Sequence, residues 1–135
     1  MKKNSRNLVI KDSDYKRLQK LIDSSDSPAA AFLEDEILNA RVVADDKLPG
    51  DAVAMGSRVT FRRRDSKETT VVTLVYPQDS DLEEKKISIL SPVGSALIGL
   101  RKGGEIDWPM PNGKLSHFEV VAVEQQKVEA AVAVA

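Results

Sequence analysis

In the first part of the chain, the apolar residues follow the spacing of a helix. A short extended segment at residues 8–10 comes first, and Asp12 or Ser13 can cap the helix that follows. The apolar face of that helix consists of Tyr15, Leu18, Leu21 and Ile22. Because the polar residues 23–26 interrupt this pattern, the sequence predicts that the first helix ends there.

A second helix is predicted to begin at Ser27-Pro28, because serine accepts hydrogen bonds from the free N–H groups of a helix start and proline suits its first position. The apolar positions that follow alternate in spacing between three and four residues: Ala30, Leu33, Ile37, Ala40 and Ala44. This heptad pattern predicts a short coiled coil, an antiparallel helical hairpin. Its arms of about 12 and about 18 residues would be roughly 18 and 27 Å long.

Beyond residue 49 the pattern takes the two-residue period of β-strands. Strands are predicted at 57–64 and 69–76, and a polar loop at 78–84 separates them from a short strand that contains Ile87 and Ile89. Ser91-Pro92 repeats the serine–proline signal of a helix start, and the helix ends before Gly103-Gly104. Two last strands flank Asn112-Gly113, a pair typical of two-residue hairpin turns.

These elements predict an α+β fold. We expect the helical hairpin within residues 1–48 and a β-sheet domain with one short helix within residues 49–125. Residues 126–135 are rich in alanine and valine without any periodicity, so a disordered tail is expected there. At 135 residues the chain is long enough for one domain with an appendage.

Three stretches of the chain resemble the Gre family of bacterial transcription elongation factors, and they occur in the order in which that family has them. They are LPGDAVAMGSRVTFR at 48–62, TLVYP at 73–77, and ISILSPVGSALIGL at 87–100 with GGEIDWPMPNGKLSHFEVV at 103–121. Together with the short N-terminal region, they are most similar to the Rnk-type branch of the family, which has a truncated coiled coil. The resemblance covers residues 9–124 and implies an FKBP-like antiparallel sheet for residues 49–125.

The resemblance also implies a function. Gre-family proteins bind RNA polymerase at the mouth of its secondary channel, and in them the loop that matches Ser91-Pro92 contacts the channel rim. We therefore expect a non-catalytic, polymerase-binding transcription regulator that competes with Gre cleavage factors, with Ser91, Pro92 and Val93 as its first candidate contacts. An alternative is control of the level or activity of nucleoside diphosphate kinase, directly or through transcription. A prolyl isomerase would rest on fold analogy alone.

Two acidic residues, Asp23 and Asp26, fall at the expected tip of the hairpin. In Gre factors, acidic residues at the tip of a long coiled coil help to hold a catalytic Mg²⁺, and carboxylates are ligands that this ion favours. Here the hairpin is much shorter and the Gre tip sequence is absent. We therefore interpret both residues as helix-ending residues in a solvated turn, and we expect no catalytic residue, metal site or cofactor.

Three arginines, Arg58, Arg62 and Arg64, share one face of the first predicted strand, opposite Val59 and Phe61. One interpretation is an edge strand protected from aggregation by charge. The other is a contact with RNA polymerase. No aromatic residues alternate with the arginines, so they offer no platform for stacking nucleic acid bases.

The formal net charge of −1 conceals a segregated distribution. Residues 1–20 contain seven basic and two acidic side chains, whereas residues 23–46 contain seven acidic and one basic. A balanced total argues against a general nucleic acid binder, which would carry a dominant positive field, and favours a protein partner of mixed charge. We also expect no sequence-specific nucleic acid binding. The acidic second arm either faces the basic first arm or enters a positively charged channel, and the sequence leaves both interpretations open.

The absence of cysteine and of long apolar runs indicates where the protein is expected to occur. Cysteine is absent and no apolar run reaches the length of a membrane span, so we expect a cytoplasmic monomer that does not bind membranes. His117 is the single histidine and has no partner nearby in sequence, so we interpret it as a structural or surface residue rather than a metal ligand. Tyr76 and Trp108 are expected in the core.

Overall fold

The structure, a computed structural model, describes residues 2–3, 8–109, 113 and 115–125. Two helices come first, and a sheet with one short helix follows. In chain order the elements are β1 (Lys2–Lys3), β2 (Val9–Lys11), α1 (Asp12–Asp23), α2 (Pro28–Leu38), β3 (Arg41–Val43), β4 (Arg58–Arg63), β5 (Thr69–Val75), β6 (Lys86–Ser88), α3 (Pro92–Leu97), β7 (Glu105–Pro109) and β8 (Leu115–Glu124).

The main sheet contains six strands in the order β1-β7-β8-β4-β5-β6. Its neighbouring strands are antiparallel except for β5 and β6, which are parallel. The parallel pair arises because the chain reverses twice between them, through a 3-10 helix at Pro77–Asp79 and a tight turn closed by the bridge between Asp81 and Lys86. The predicted α+β class and its largely antiparallel sheet are therefore confirmed.

The second helix is shorter than its apolar spacing predicts. It ends at Leu38, and the chain then forms β3, which pairs in parallel with β2. The N–H of Arg41 donates to the carbonyl of Leu8 at 2.9 Å. The heptad prediction through Ala44 is wrong, because β-branched residues after position 40 favour a strand and β2 supplies the hydrogen-bond partners.

The start of the first helix also differs from the prediction. Neither Asp12 nor Ser13 is the capping residue; Lys11 occupies that position and makes no side-chain cap. A carboxylate from elsewhere replaces the cap, since Oδ1 of Asp45 accepts a hydrogen bond from the N–H of Ser13 at 3.0 Å. The expected apolar face is confirmed in its buried members, Leu18 and Ile22.

The helices and the sheet share one hydrophobic core. The buried side chains from the helical region include Leu18 and Leu33, and they belong to the same cluster as Val59 and Leu97. β2 reinforces this connection, since the N–H of Val9 donates to the carbonyl of Gly99 at 3.0 Å. The base of the hairpin is thus fixed against the sheet domain rather than suspended on a linker.

Two expectations concern residues that are not fully described. β7 and β8 pair as the predicted hairpin, but Asn112 of the expected turn lies outside the described residues, as does the predicted tail at 126–135. The backbone of Trp108 lies in β7, but its side chain is not among the described atoms, so its expected place in the core stays a prediction.

Candidate functional site

The Ser91-Pro92 corner joins β6 to α3 and is held by several hydrogen bonds. The hydroxyl oxygen of Ser91 accepts from the N–H of Gly94 at 3.1 Å, and its O–H donates to the carbonyl of Ser88 at 2.6 Å. Pro92 is the first residue of α3, where its missing N–H costs no hydrogen bond. The predicted helix cap is therefore confirmed, and the proline is left exposed.

Close packing behind Pro92 makes this corner rigid. Gly94 lies so near β6 that a Cβ atom there would be 2.1 Å from the carbonyl oxygen of Ser88. The buried hydroxyl of Ser95 donates to the carbonyl of Ile89 at 2.7 Å. Val93 is half-buried and packs against the core, so Pro92 is the member of the predicted Ser91, Pro92, Val93 set that is most available to a partner.

The strand that carries Arg58 and Arg62, β4, lies inside the sheet, and Arg64 follows its last residue. β4 has β8 on one side and β5 on the other, so the edge-strand interpretation is wrong. Arg62 forms an ion pair with Glu119 at 3.1 Å, and Arg64 lies 3.8 Å from Glu105. These acidic partners come from β8 and β7 and balance two of the three predicted charges. Within the described chain, Arg58 has no ion pair and is the most available of the three.

The hairpin tip has the geometry of a capped turn. Asp23 is the last residue of α1, Asp26 lies in the turn that follows, and both are exposed. Ser27 caps α2 as predicted, since its hydroxyl accepts from the N–H of Ala30 at 3.2 Å. No group of three or more metal-binding side chains occurs within residues 2–3, 8–109, 113 and 115–125.

His117 and Tyr76, two other residues considered in the sequence, both contact side chains of neighbouring elements. His117 lies on β8 directly opposite Asp107 of β7, and the two side chains form a pair on a partly exposed face of the sheet. Tyr76 is partly buried and packs against the core as expected. The guanidinium of Arg17 lies over its ring at 6.0 Å, which joins α1 to the end of β5.

A buried carboxylate in α1 is a feature that the sequence analysis missed. Asp14 is 5% exposed, and its Oδ2 accepts from the N–H of Met55 at 3.0 Å. Burial raises the pKa of this carboxyl group above its usual range. The position of Asp14 one turn before Leu18 could have revealed its burial, because residues four apart share a helix face. It ties the helical hairpin to the loop that precedes β4.

None of the helices in the described part of the chain is long and apolar enough to span a bilayer.

Comparison with known proteins identifies relatives for both parts of the chain. Residues 48–125 match the family model "Transcription elongation factor, GreA/GreB, C-term", and residues 6–43 match the model "Rnk N-terminus". The chain is 37% identical over 122 residues to the "Regulator of nucleoside diphosphate kinase" of Escherichia coli K12, covering 88% of this chain and 90% of that protein. It is also 39% identical over 104 residues to GreA of Azorhizobium caulinodans, covering 77% of this chain and 66% of that protein.

A solved structure agrees with these relationships. The GreA/GreB elongation factor from Nitrosomonas europaea superposes with a TM-score of 0.76 at 42% identity, covering 87% of this chain and 98% of that chain. These relatives carry the names of regulators and elongation factors. The chain is therefore a member of the GreA/GreB family of transcription elongation factors, and its N-terminal segment is of the Rnk type.

Proposed function

We propose that this protein is a non-catalytic regulator that binds RNA polymerase at the rim of its secondary channel. The observation that carries the proposal is the rigid Ser91-Pro92 corner, which presents an exposed proline on a backbone fixed by hydrogen bonds and close packing. A contact that is ordered before binding loses little entropy when the complex forms. In this proposal, residues 49–125 dock on the polymerase and Arg58 contributes a charged contact.

The hairpin explains why such a protein would compete with longer Gre factors without replacing them. α1 contains 12 residues and α2 contains 11. At 1.5 Å per residue, each arm spans only about 16–18 Å. The base of the hairpin is buried in the shared core, so only its short outer part projects. In this proposal that part occupies the channel mouth without reaching the active site.

The hairpin tip supports a non-catalytic role. Asp23 and Asp26 are separated by a turn that Ser25 and Ser27 stabilise through a contact of 3.1 Å between their hydroxyls. One or two carboxylates can assist a metal ion only if they reach it. In this proposal the protein competes with cleavage factors without cleaving transcripts itself.

The protein should not stimulate cleavage of a backtracked transcript. Purified protein added in excess to a backtracked elongation complex with Mg²⁺ is expected to leave the intrinsic cleavage rate unchanged within about twofold, since a barrier change of about 0.4 kcal/mol corresponds to twofold. A Gre factor serves as the positive control. Robust stimulation that disappears in the double variant Asp23→Ala/Asp26→Ala would show that the tip is catalytic.

A second candidate function follows from the name of the Escherichia coli relative. That relative is named as a regulator of nucleoside diphosphate kinase. If this protein acts on polymerase, it would change the level of the kinase through transcription. Direct action would instead alter the activity of purified kinase on mixing, in the absence of polymerase. The same mixing experiment separates the two routes.

A further inference from the structure

Leu82 is the most exposed large apolar side chain in the described part of the chain, with 87% of its surface accessible. It lies in the segment between β5 and β6, in a turn closed by Asp81 and Lys86. Neither the family resemblance nor the Ser91-Pro92 corner explains why a leucine is placed there.

The turn that carries Leu82 is well ordered by its own hydrogen bonds. The backbones of Asp81 and Lys86 exchange two hydrogen bonds of 2.9 and 2.8 Å. Oδ1 of Asp81 accepts from the N–H groups of Glu83 and Glu84 at 3.1 and 3.3 Å. The backbone that carries the leucine is therefore ordered before any partner arrives, which lowers the entropic cost of using this turn as a contact.

The surroundings of Leu82 specify the charge of a partner. Residues 78–84 contain four acidic side chains and no basic one. Asp81, Glu83 and Glu84 flank the leucine in sequence, and all three are exposed. The complementary surface is an apolar notch bordered by lysine or arginine side chains, because opposite charges steer association and fix its register.

The turn is continuous with the proposed docking corner. β6 is the outermost strand of the main sheet, and the Leu82 turn precedes it directly. At its other end, the carbonyl of Ser88 accepts hydrogen bonds from the backbone and hydroxyl of Ser91. The Leu82 turn and the Ser91-Pro92 corner therefore adjoin the two ends of the same edge strand, whose three residues span about 10 Å.

We infer that the Leu82 turn is a second anchor for RNA polymerase, in which the leucine fills an apolar notch bordered by basic side chains. This inference rests on the proposed polymerase binding and extends it from one corner to a margin of the sheet. The apolar side chain provides affinity, and the acidic side chains provide attraction and orientation.

The test is Leu82→Ser, measured as the equilibrium affinity of the full chain for core RNA polymerase. Burying one leucine at an interface predicts that the variant binds about five- to twentyfold more weakly. Leu38→Ser is the matched control, because Leu38 is 63% exposed and ends α2 at the side of the hairpin away from its tip. The control should bind like the parent protein, and both variants should keep a native circular dichroism spectrum.

The acidic contribution is tested separately with Glu83→Lys/Glu84→Lys. This double variant should bind more weakly at low salt and lose most of the salt dependence of the parent, since exposed charges are screened as ionic strength rises. Unchanged affinity in Leu82→Ser, alongside weakened binding in Pro92→Ala, would overturn the second anchor and leave the proposed function standing. Absence of polymerase binding by the parent protein would overturn both.

Discussion

Gly94→Ala is expected to destabilise the protein by about 2–3 kcal/mol, because tightly packed sites do not accept an added methyl group without backbone movement. The new Cβ would lie 2.1 Å from the carbonyl oxygen of Ser88, 2.9 Å from its carbonyl carbon and 3.1 Å from the Cα of Ile89. All three are backbone atoms at the end of β6, so no side chain can rotate away to relieve the contact. The corner must shift, and polymerase binding should weaken with it.

Gly50→Ala is the matched control for this variant. No atom lies within 4 Å of a Cβ built at Gly50, and its φ is not in the left-handed region. Its free energy of unfolding in urea should stay within about 0.5 kcal/mol of the parent value. If Gly94→Ala were as stable as Gly50→Ala, the close approach between α3 and β6 would not exist in solution.

Pro92→Ala should weaken binding to RNA polymerase at least tenfold while leaving the domain folded. The fold tolerates the change because alanine is a good helix former and the first helical position requires no proline. Binding suffers because an exposed proline on a fixed corner is a preorganised apolar contact, and an interface anchor contributes about 1–3 kcal/mol. Fluorescence anisotropy with labelled protein and core polymerase measures the dissociation constant.

Ser91→Ala is the companion of the proline variant. It removes the hydroxyl that accepts from Gly94 and should cost roughly 1 kcal/mol of stability, as lost helix caps generally do. Unchanged polymerase affinity in a natively folded Pro92→Ala would exclude the corner from the interface. Arg58 would then become the leading candidate, because Arg62 and Arg64 already have acidic partners.

Local signals predicted most of the fold. The serine–proline pairs mark the starts of α2 and α3, and both serines accept the expected hydrogen bonds. Alternating apolar residues likewise placed β4 and β5 within about one residue of their observed bounds. These predictions depend on residues that are neighbours in sequence, for which spacing and capping are sufficient information.

The end of α2 could not be predicted in the same way. Ala40 and Ala44 continue the heptad spacing, and alanine is a strong helix former, so the local signals favour a longer helix. The strand at Arg41–Val43 exists because β2, 32 residues earlier, offers its backbone. The valines at 42 and 43 favour a strand, but two residues are too short a signal to outweigh the helical spacing without the distant partner.

Contacts between residues far apart in sequence also decide which side chains of the candidate site are free. The sequence places Arg62 on an exposed face, but its ion pair joins it to Glu119, 57 residues away. The hydrogen bond from Met55 to Asp14 spans 41 residues. Tertiary contacts of this kind decide which charges remain available to a partner, so composition alone overestimates the basic character of β4.

Competition for core RNA polymerase tests the central claim most directly. Labelled protein is bound to core polymerase and then titrated with an unlabelled Gre factor, with the release of label followed by anisotropy. We predict saturable binding and complete displacement, with the apparent dissociation constant rising in proportion to the Gre factor concentration, as one shared site requires. Binding that persists at saturating Gre factor, or no binding at all, would contradict the account.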